Sequence, residues 1–227
     1  MEQRVLSSEN IAEGSAVLIF QFMQKILKRK GEFNLALSGG ESPVQLYQLL
    51  ADKINILENI TLNIFQVDER YVDQNHHDSN QLMIKKCFLD RLDRPDKKNK
   101  LNYYFYNTDL PIADAASLYD ELLGGHVMDL AIMGVGTDGH TASLFPDEKY
   151  AQIRYDKNVI CTKEYNGHPR LTMTHRPLLC SGQLFFYVPG VYKKKIVQKI
   201  LDVKNMDSLP AAFLLHKHSN AIMMCEK

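Results

Sequence analysis

The sequence predicts an α/β fold, with a single domain built on a mainly parallel, twisted sheet that carries helices on both faces. Apolar segments of strand length alternate with segments of helical spacing along most of the chain, the pattern of parallel strands joined by crossover helices. Three of the strand-like segments also run straight into loops rich in glycine or charge, at residues 38–43, 68–70 and 134–140. In such sheets the ligand sits at the carboxyl ends of the strands, and all three loops leave from that edge.

Taken in order, residues 11–27 place Ile11, Ala12, Ala16, Ile19, Met23 and Leu27 at helical spacing, and Lys28-Arg29-Lys30-Gly31 ends the helix with cations and a glycine. Phe33-Asn34-Leu35-Ala36-Leu37 is a short strand that enters Ser38-Gly39-Gly40-Glu41-Ser42-Pro43, and residues 44–50 return to helical spacing. Residues 62–67 read as a second strand ending at Asp68-Glu69-Arg70, and Ser79 or Asn80 caps a helix that reaches Leu89. Polar residues 91–100 read as a surface loop. Pro111 suits the first position of a helix that stops at Gly124-Gly125. Residues 127–133 form a third strand leading into Gly134-Val135-Gly136-Thr137-Asp138-Gly139-His140, and Pro146 interrupts any helix that begins there. Beyond it, residues 158–161, 184–188, 211–215 and 221–224 read as strands and residues 191–203 as a helix.

A chain of 227 residues fits one domain spanning residues 1–227 and can bury a full core. Lys plus Arg and Asp plus Glu both count 27, so no overall field draws nucleic acid or an anionic membrane, and any anion must be recognised locally. Cys87, Cys161, Cys180 and Cys225 lie far apart without a C-x-x-C pair, which suits buried thiols in a reducing compartment. Residues 1–10 lack the apolar core of a signal peptide, and no stretch approaches the roughly 20 apolar residues of a membrane span. The expectation is a cytoplasmic protein, a monomer or small homo-oligomer.

Three loops carry the chemistry. In residues 38–43 the glycines let backbone approach an anion, the following helix presents unpaired N–H groups, and Ser38 and Ser42 add hydroxyls. An ordinary tight turn explains that hexapeptide equally well. Asp68-Glu69-Arg70 puts two carboxylates and a guanidinium at a strand end, where a carboxylate can accept a sugar hydroxyl and the arginine can fork onto phosphate, although a solvated turn with a local ion pair is the commoner meaning of the tripeptide. Gly134, Gly136 and Gly139 satisfy G-x-G-x-x-G after a strand. A dinucleotide reading fails, because Pro146 cuts short the helix it needs and Asp138 would put a negative charge in the pyrophosphate cradle. The loop offers instead Asp138 and His140, a carboxylate beside the side-chain type that titrates near neutrality; a buried histidine satisfying a turn is the bland alternative. Gly190-Val191-Tyr192-Lys193-Lys194-Lys195 opens a helix with three cations, of which one or two can reach any single ligand. His76-His77-Asp78 suggests a metal, yet no further Cys or His cluster shows ligand spacing. These read as loop residues, with no metal expected.

Together these segments resemble the 6-phosphogluconolactonase family, related to the glucosamine-6-phosphate isomerases. The pattern L-S-G-G-x-[ST]-P is met at residues 37–43, D-E-R at Asp68, Glu69 and Arg70 with Ser79-Asn80 downstream, and G-x-G-x-D-G-H-T-A-S-L-F-P at residues 134–146. Pro169-Arg170-Leu171-Thr172 and the G-x-x-K of Gly190 and Lys193 follow in family order. The chain departs from the family where Gln66-Val67 replaces a frequent tryptophan before D-E-R, and in its tail after Leu215.

The resemblance implies hydrolysis of 6-phospho-D-glucono-1,5-lactone in the pentose phosphate pathway, on a Rossmann-like sheet and without cofactor or metal. It implies His140 as the base, Asp138 orienting it and Asp68 on a sugar hydroxyl. Ser38, Gly39, Gly40, Ser42, Arg70, Arg170 and Lys193 would hold phosphate, and N–H groups of Gly136 or Gly139 would face the oxyanion. The isomerases resemble G-x-D-G-H-I-A-F-N-E-P here, with a catalytic glutamate where this chain has Phe145. The alternatives are a glucosamine-6-phosphate isomerase or deaminase, which Phe145 disfavours, and a non-catalytic sugar phosphate sensor, which intact Asp138 and His140 disfavour.

Overall fold

Two strands set the architecture: β2 (Glu32–Leu37) is buried at every position after the first, and β9 (Leu184–Val188) at all five. Strands without a polar face need cover on both sides. In the computed structural model, which describes residues 4–92, 98–147, 150 and 155–227, they lie inside a seven-stranded sheet. Its other members are β1 (Arg4–Ser8), β3 (Thr61–Gln66), β5 (Lys100–Tyr104), β6 (Leu130–Met133) and β10 (Ala221–Glu226). The order is β1-β10-β9-β6-β2-β3-β5, with every pairing parallel.

Side chains alternate across the sheet. Leu35 and Leu37 of β2 pack on one face with Ile19 of α1 (Ile11–Lys30), Tyr47 of α2 (Val44–Ile54) and Phe88. Ala36 packs on the other with Tyr119 of α5 (Ile112–Leu123), Ile200 and Leu214. Phe88 belongs to a helix that begins as α3 (Asn80–Ile84), widens into a π turn at Lys85–Leu89 and finishes as α4 (Asp90–Leu92). A second, three-stranded antiparallel sheet runs β4 (Asp68–Arg70), β8 (His168–Met173), β7 (Val159–Tyr165), followed by the short α6 (His175–Leu179).

The chain leaves β2 for β3 on one side and returns to β6 on the other. The loops after β2 and β6 therefore diverge and leave a crevice between them, the switch point at which such sheets bind ligands. Ser38 still bonds across it, its amide donating to the Ile132 carbonyl at 3.1 Å.

Several expectations need correction. Residues 211–215 are not a strand but lie in α8 (Pro210–Lys217); all five are buried, and a run with no polar face carries no periodicity. Pro210 at the first helical position was the available signal. The expected strand at 127–133 begins only at Leu130, and the strand at 158–161 lies in the antiparallel sheet. The helix over 191–203 is a 3-10 turn, Val191–Lys193, followed by α7 (Lys194–Leu201). Of the loop expected at 91–100, residues 93–97 lie outside the described residues, as do residues 1–3 of the amino-terminal segment, and Lys100 opens β5. Cys87 is buried, but Cys161 and Cys180 are exposed. No described helix is long and apolar enough to cross a membrane.

Candidate active site

The β2–α2 loop is shaped as an anion cradle. Gly40 adopts φ +88°, and a Cβ on Gly39 would fall 1.9 Å from the Asn80 side chain, so no side chain can stand between this backbone and a ligand. The amides of Gly39, Gly40 and Ser42 donate to no described residue, and the start of α2 has no side-chain cap. Unpaired N–H groups at a helix start attract anions. The Ser38 hydroxyl is buried without a partner among the described residues, while its carbonyl is fixed by the Tyr47 hydroxyl at 2.7 Å.

The antiparallel sheet supplies cations from the opposite side. Arg70 on β4 pairs in register with Arg170 on β8, and like charges directly opposite each other destabilise a ladder. Burial, reinforced by the Arg70 charge, lowers the Arg170 pKa. Its Nη2 donates to the Tyr165 carbonyl at 2.9 Å, whereas its Nε is buried without a partner among the described residues. Arg70 Nη1 donates to the Asp78 carbonyl. Neighbouring Asp68 is 6% exposed; its Oδ2 accepts the Ser143 hydroxyl at 2.8 Å and its carbonyl accepts from Asn80 Nδ2.

Glu69 turns away from the cleft. Its carboxylate accepts the backbone amides of Arg70, Asn80 and Gln81 together with Gln66 Nε2 and the Ser79 hydroxyl. Burial still raises its pKa, the donors opposing that shift. This residue ties β4 to the start of α3, and the motif's second carboxylate is thereby structural.

The β6 loop supplies the titratable pair. Asp138 Oδ1 lies 2.6 Å from His140 Nδ1 and also accepts the His140 amide at 3.1 Å; Asp138 Oδ2 accepts the Tyr165 hydroxyl at 3.1 Å. Burial works to raise the Asp138 pKa, but the His140 amide, the His140 charge and the Tyr165 hydroxyl together outweigh it and hold the pKa below the usual aspartate value. Tyr165 stacks on Phe145 at 4.2 Å and meets the His140 ring edge-on at 5.5 Å, so two aromatic rings fence the imidazole. A Cβ on Gly136 would lie 2.2 Å from that ring, which fixes glycine there.

The amides of Gly136 and Gly139 are already used inside the loop, donating to the carbonyls of His140 and Gly136 at 2.9 and 3.0 Å. Gly139 faces Leu209 and Ile196. The expected oxyanion role of both glycines therefore does not carry over. Lys193 is the one of its three neighbours turned inward: it is buried while Lys194 and Lys195 are exposed. Its Nζ donates to the Val135 carbonyl at 2.8 Å, and burial lowers its pKa.

One cleft of about 210 Å³ brings together Ser38, Gly39, Gly40, Ser42, Asp68, Arg70, Gly136, His140, Arg170 and Lys193. Asp138 stands behind His140 and Gly139 behind the loop. Sequence reasoning missed Tyr165, Asn166, Asn80 and Ser143 as lining residues. Ser143 and Asn80 lay within recognised motifs; Tyr165 and Asn166 carried no signal, since a hairpin between β7 and β8 brings them in.

A parallel sheet with cations and an imidazole gathered at its switch point is the layout of an α/β enzyme with a small-molecule site at the carboxyl ends of its strands. Residues 6–223 match the model of the glucosamine-6-phosphate isomerases/6-phosphogluconolactonase, and the chain belongs to this family. It is 32% identical over 193 residues to a 6-phosphogluconolactonase from a Nostoc species, covering 81% of this chain and 77% of the relative. A 6-phosphogluconolactonase from Helicobacter pylori is 32% identical over 225 residues, covering 95% and 94%. The crystal structure of 6-phosphogluconolactonase from Thermotoga maritima superposes with a TM-score of 0.85 at 27% identity, covering all of both chains.

Proposed function

We propose that this chain hydrolyses 6-phospho-D-glucono-1,5-lactone to 6-phospho-D-gluconate, the hydrolytic step of the oxidative pentose phosphate pathway. The observation that carries this reading is the loop after β6: His140 is held by Asp138 at 2.6 Å, and the Phe145 ring lies 5.4 Å from it where the isomerases carry a carboxylate. An imidazole with one apolar neighbour suffices to activate water. Position 145 lacks the carboxylate with which the isomerases assist ring opening and enolisation of an amino sugar.

The phosphate sits on Ser38, Gly39, Gly40 and Ser42, with Arg70, Arg170 and Lys193 supplying charge. The Ser38 hydroxyl and Arg170 Nε, buried without partners among the described residues, support this placement. Asp68 holds a sugar hydroxyl. Because Asp138 accepts from Nδ1, the proton resides there and Nε2 is the basic nitrogen. Nε2 takes a proton from water as the oxygen attacks the lactone carbonyl; when the ring C–O bond breaks, that proton passes to the departing oxygen. No step requires a metal or organic cofactor. A cytoplasmic location fits this substrate class, and the balance of 27 cations against 27 anions gives nucleic acid no field to follow.

The test is spectrophotometric: lactone opening measured with and without chelator, after subtraction of the spontaneous rate, beside an assay for ammonia release from glucosamine 6-phosphate. Accelerated lactone opening that persists in chelator, with no ammonia, is expected. Ammonia release, or tight binding of 6-phosphogluconate without turnover, would replace the proposal with the isomerase or the sensor.

A further inference from the structure

A second cluster of metal-ligating side chains lies outside the cleft. His76, His77 and Asp78 occupy the turn before α3, and one ligand atom from each can be chosen so that all lie within 4.8 Å of one another. The fold adds a fourth group from a distance of 90 residues, because His168 opens β8 beside this turn. Three imidazole nitrogens then surround a single carboxylate oxygen, with His168 Nε2, His77 Nε2 and His76 Nδ1 at 3.2, 3.6 and 3.8 Å from Asp78 Oδ2.

We propose that His76, His77, Asp78 and His168 form a binding site for a divalent cation of zinc type. Zinc bonds to imidazole and carboxylate are about 2.0–2.2 Å long, which puts neighbouring ligand atoms of a tetrahedron roughly 3.3–3.6 Å apart. His168 Nε2 and His77 Nε2 stand from Asp78 Oδ2 at 3.2 and 3.6 Å, about the length of those edges, and His76 Nδ1 at 3.8 Å lies just outside them; closing the polyhedron takes rotation of the side chains. Three imidazoles and one carboxylate suit zinc rather than calcium or magnesium, which favour all-oxygen sets. The His76 Nδ1 lone pair accepts the Asp78 amide at 3.1 Å, a weak donor that a metal would displace. The His76 and His77 rings lie side by side, tilted by 31° with centroids 4.2 Å apart, so both imidazoles are held at the same turn.

The site would join the turn before α3 to the first residue of β8. Arg70 donates to the Asp78 carbonyl, and Arg170 lies two residues beyond His168 on β8. A cation there would staple the turn that Arg70 bonds to onto the strand that carries Arg170. It would take no part in the proton transfers, and the inference stands whether or not the lactonase reading holds.

The experiment titrates chelator-treated protein with zinc chloride by calorimetry, records the visible spectrum with cobalt(II) as a second probe, and follows Tm with and without zinc. One zinc per chain, a tetrahedral cobalt spectrum and a zinc-dependent rise in Tm are expected. His168→Gln and His77→Ala should each weaken zinc binding by more than the roughly 10- to 100-fold typical of losing an outer-shell partner and abolish the rise in Tm. His77 is exposed, so its replacement leaves folding intact. No zinc binding by the unaltered chain, or an affinity that survives either substitution unchanged, overturns the proposal. Lactone turnover by the chelated sample is read in parallel, so failure of the metal site and failure of the proposed function are told apart.

Discussion

Arg70 and Arg170 face each other directly across the β4–β8 ladder, with their Cα atoms in register. Two guanidinium groups in that relation repel, and burial adds to the cost at Arg170. Asp68, Glu69 and Asp78 offset part of that repulsion, and an anion between the two arginines, as in the proposed phosphate site, would offset more.

An anionic ligand should accordingly stabilise the fold through these arginines. At 6-phosphogluconate concentrations near one hundred times its Kd, the linkage is about 2.7 kcal/mol, or roughly 5–10 °C in Tm for a chain of this size. Thermal scans of Arg170→Met should lose most of that shift and show a raised KM for the lactone. An unchanged ligand shift in the variant would remove Arg170 from the phosphate site.

Tyr165 acts through Asp138. Its hydroxyl is 3.1 Å from Asp138 Oδ2, whereas Arg170 is held by its backbone carbonyl. Tyr165→Phe therefore deletes the hydrogen bond and keeps both the stack on Phe145 and the anchor of Arg170. Steady-state kinetics should show kcat reduced by roughly 3- to 10-fold, a bond to an ionised acceptor softened by solvent, with KM little changed. Unaltered kcat would leave Tyr165 as a wall of the cleft only.

Asp138 also leaves a mark on stability. Its folded-state pKa is lowered, so it contributes stability at pH values above its unfolded pKa, near about 3.9, and loses it as pH falls through the folded value. Urea unfolding of the unaltered chain and of Asp138→Asn should differ most near neutrality, and the gap should narrow below roughly pH 4. A gap that stays constant down to acid pH would mean that the carboxylate gains nothing from His140 and Tyr165.

Much of this fold is legible in the sequence because its central strands are mainly apolar and end in short polar loops. Glycine pinned against Asn80 at position 39 and against the imidazole at 136 shows why those motifs read so clearly: the chemistry leaves no room for a side chain. What stayed hidden depends on distance in sequence. The edge strand β5, Lys-Leu-Asn-Tyr-Tyr, alternates over only its first four residues and directly follows a polar loop, too short a pattern to announce it. Tyr165 reaches Asp138 only because β7 and β8 form a hairpin, and His168 reaches Asp78 only because β8 pairs with β4. Even the site of Gly136 was half readable, since its need for glycine was visible but the capture of its amide by the His140 carbonyl was not.

The claim on which the account turns is that His140 Nε2 deprotonates the attacking water while Asp138 holds Nδ1. The direct test is the lactone hydrolysis rate of His140→Ala, corrected for spontaneous opening. A kcat lower by roughly 10²- to 10⁴-fold, with KM nearly unchanged, is the predicted result. A rate within a few-fold of the unaltered enzyme would contradict it and assign the proton transfer to another group in the cleft.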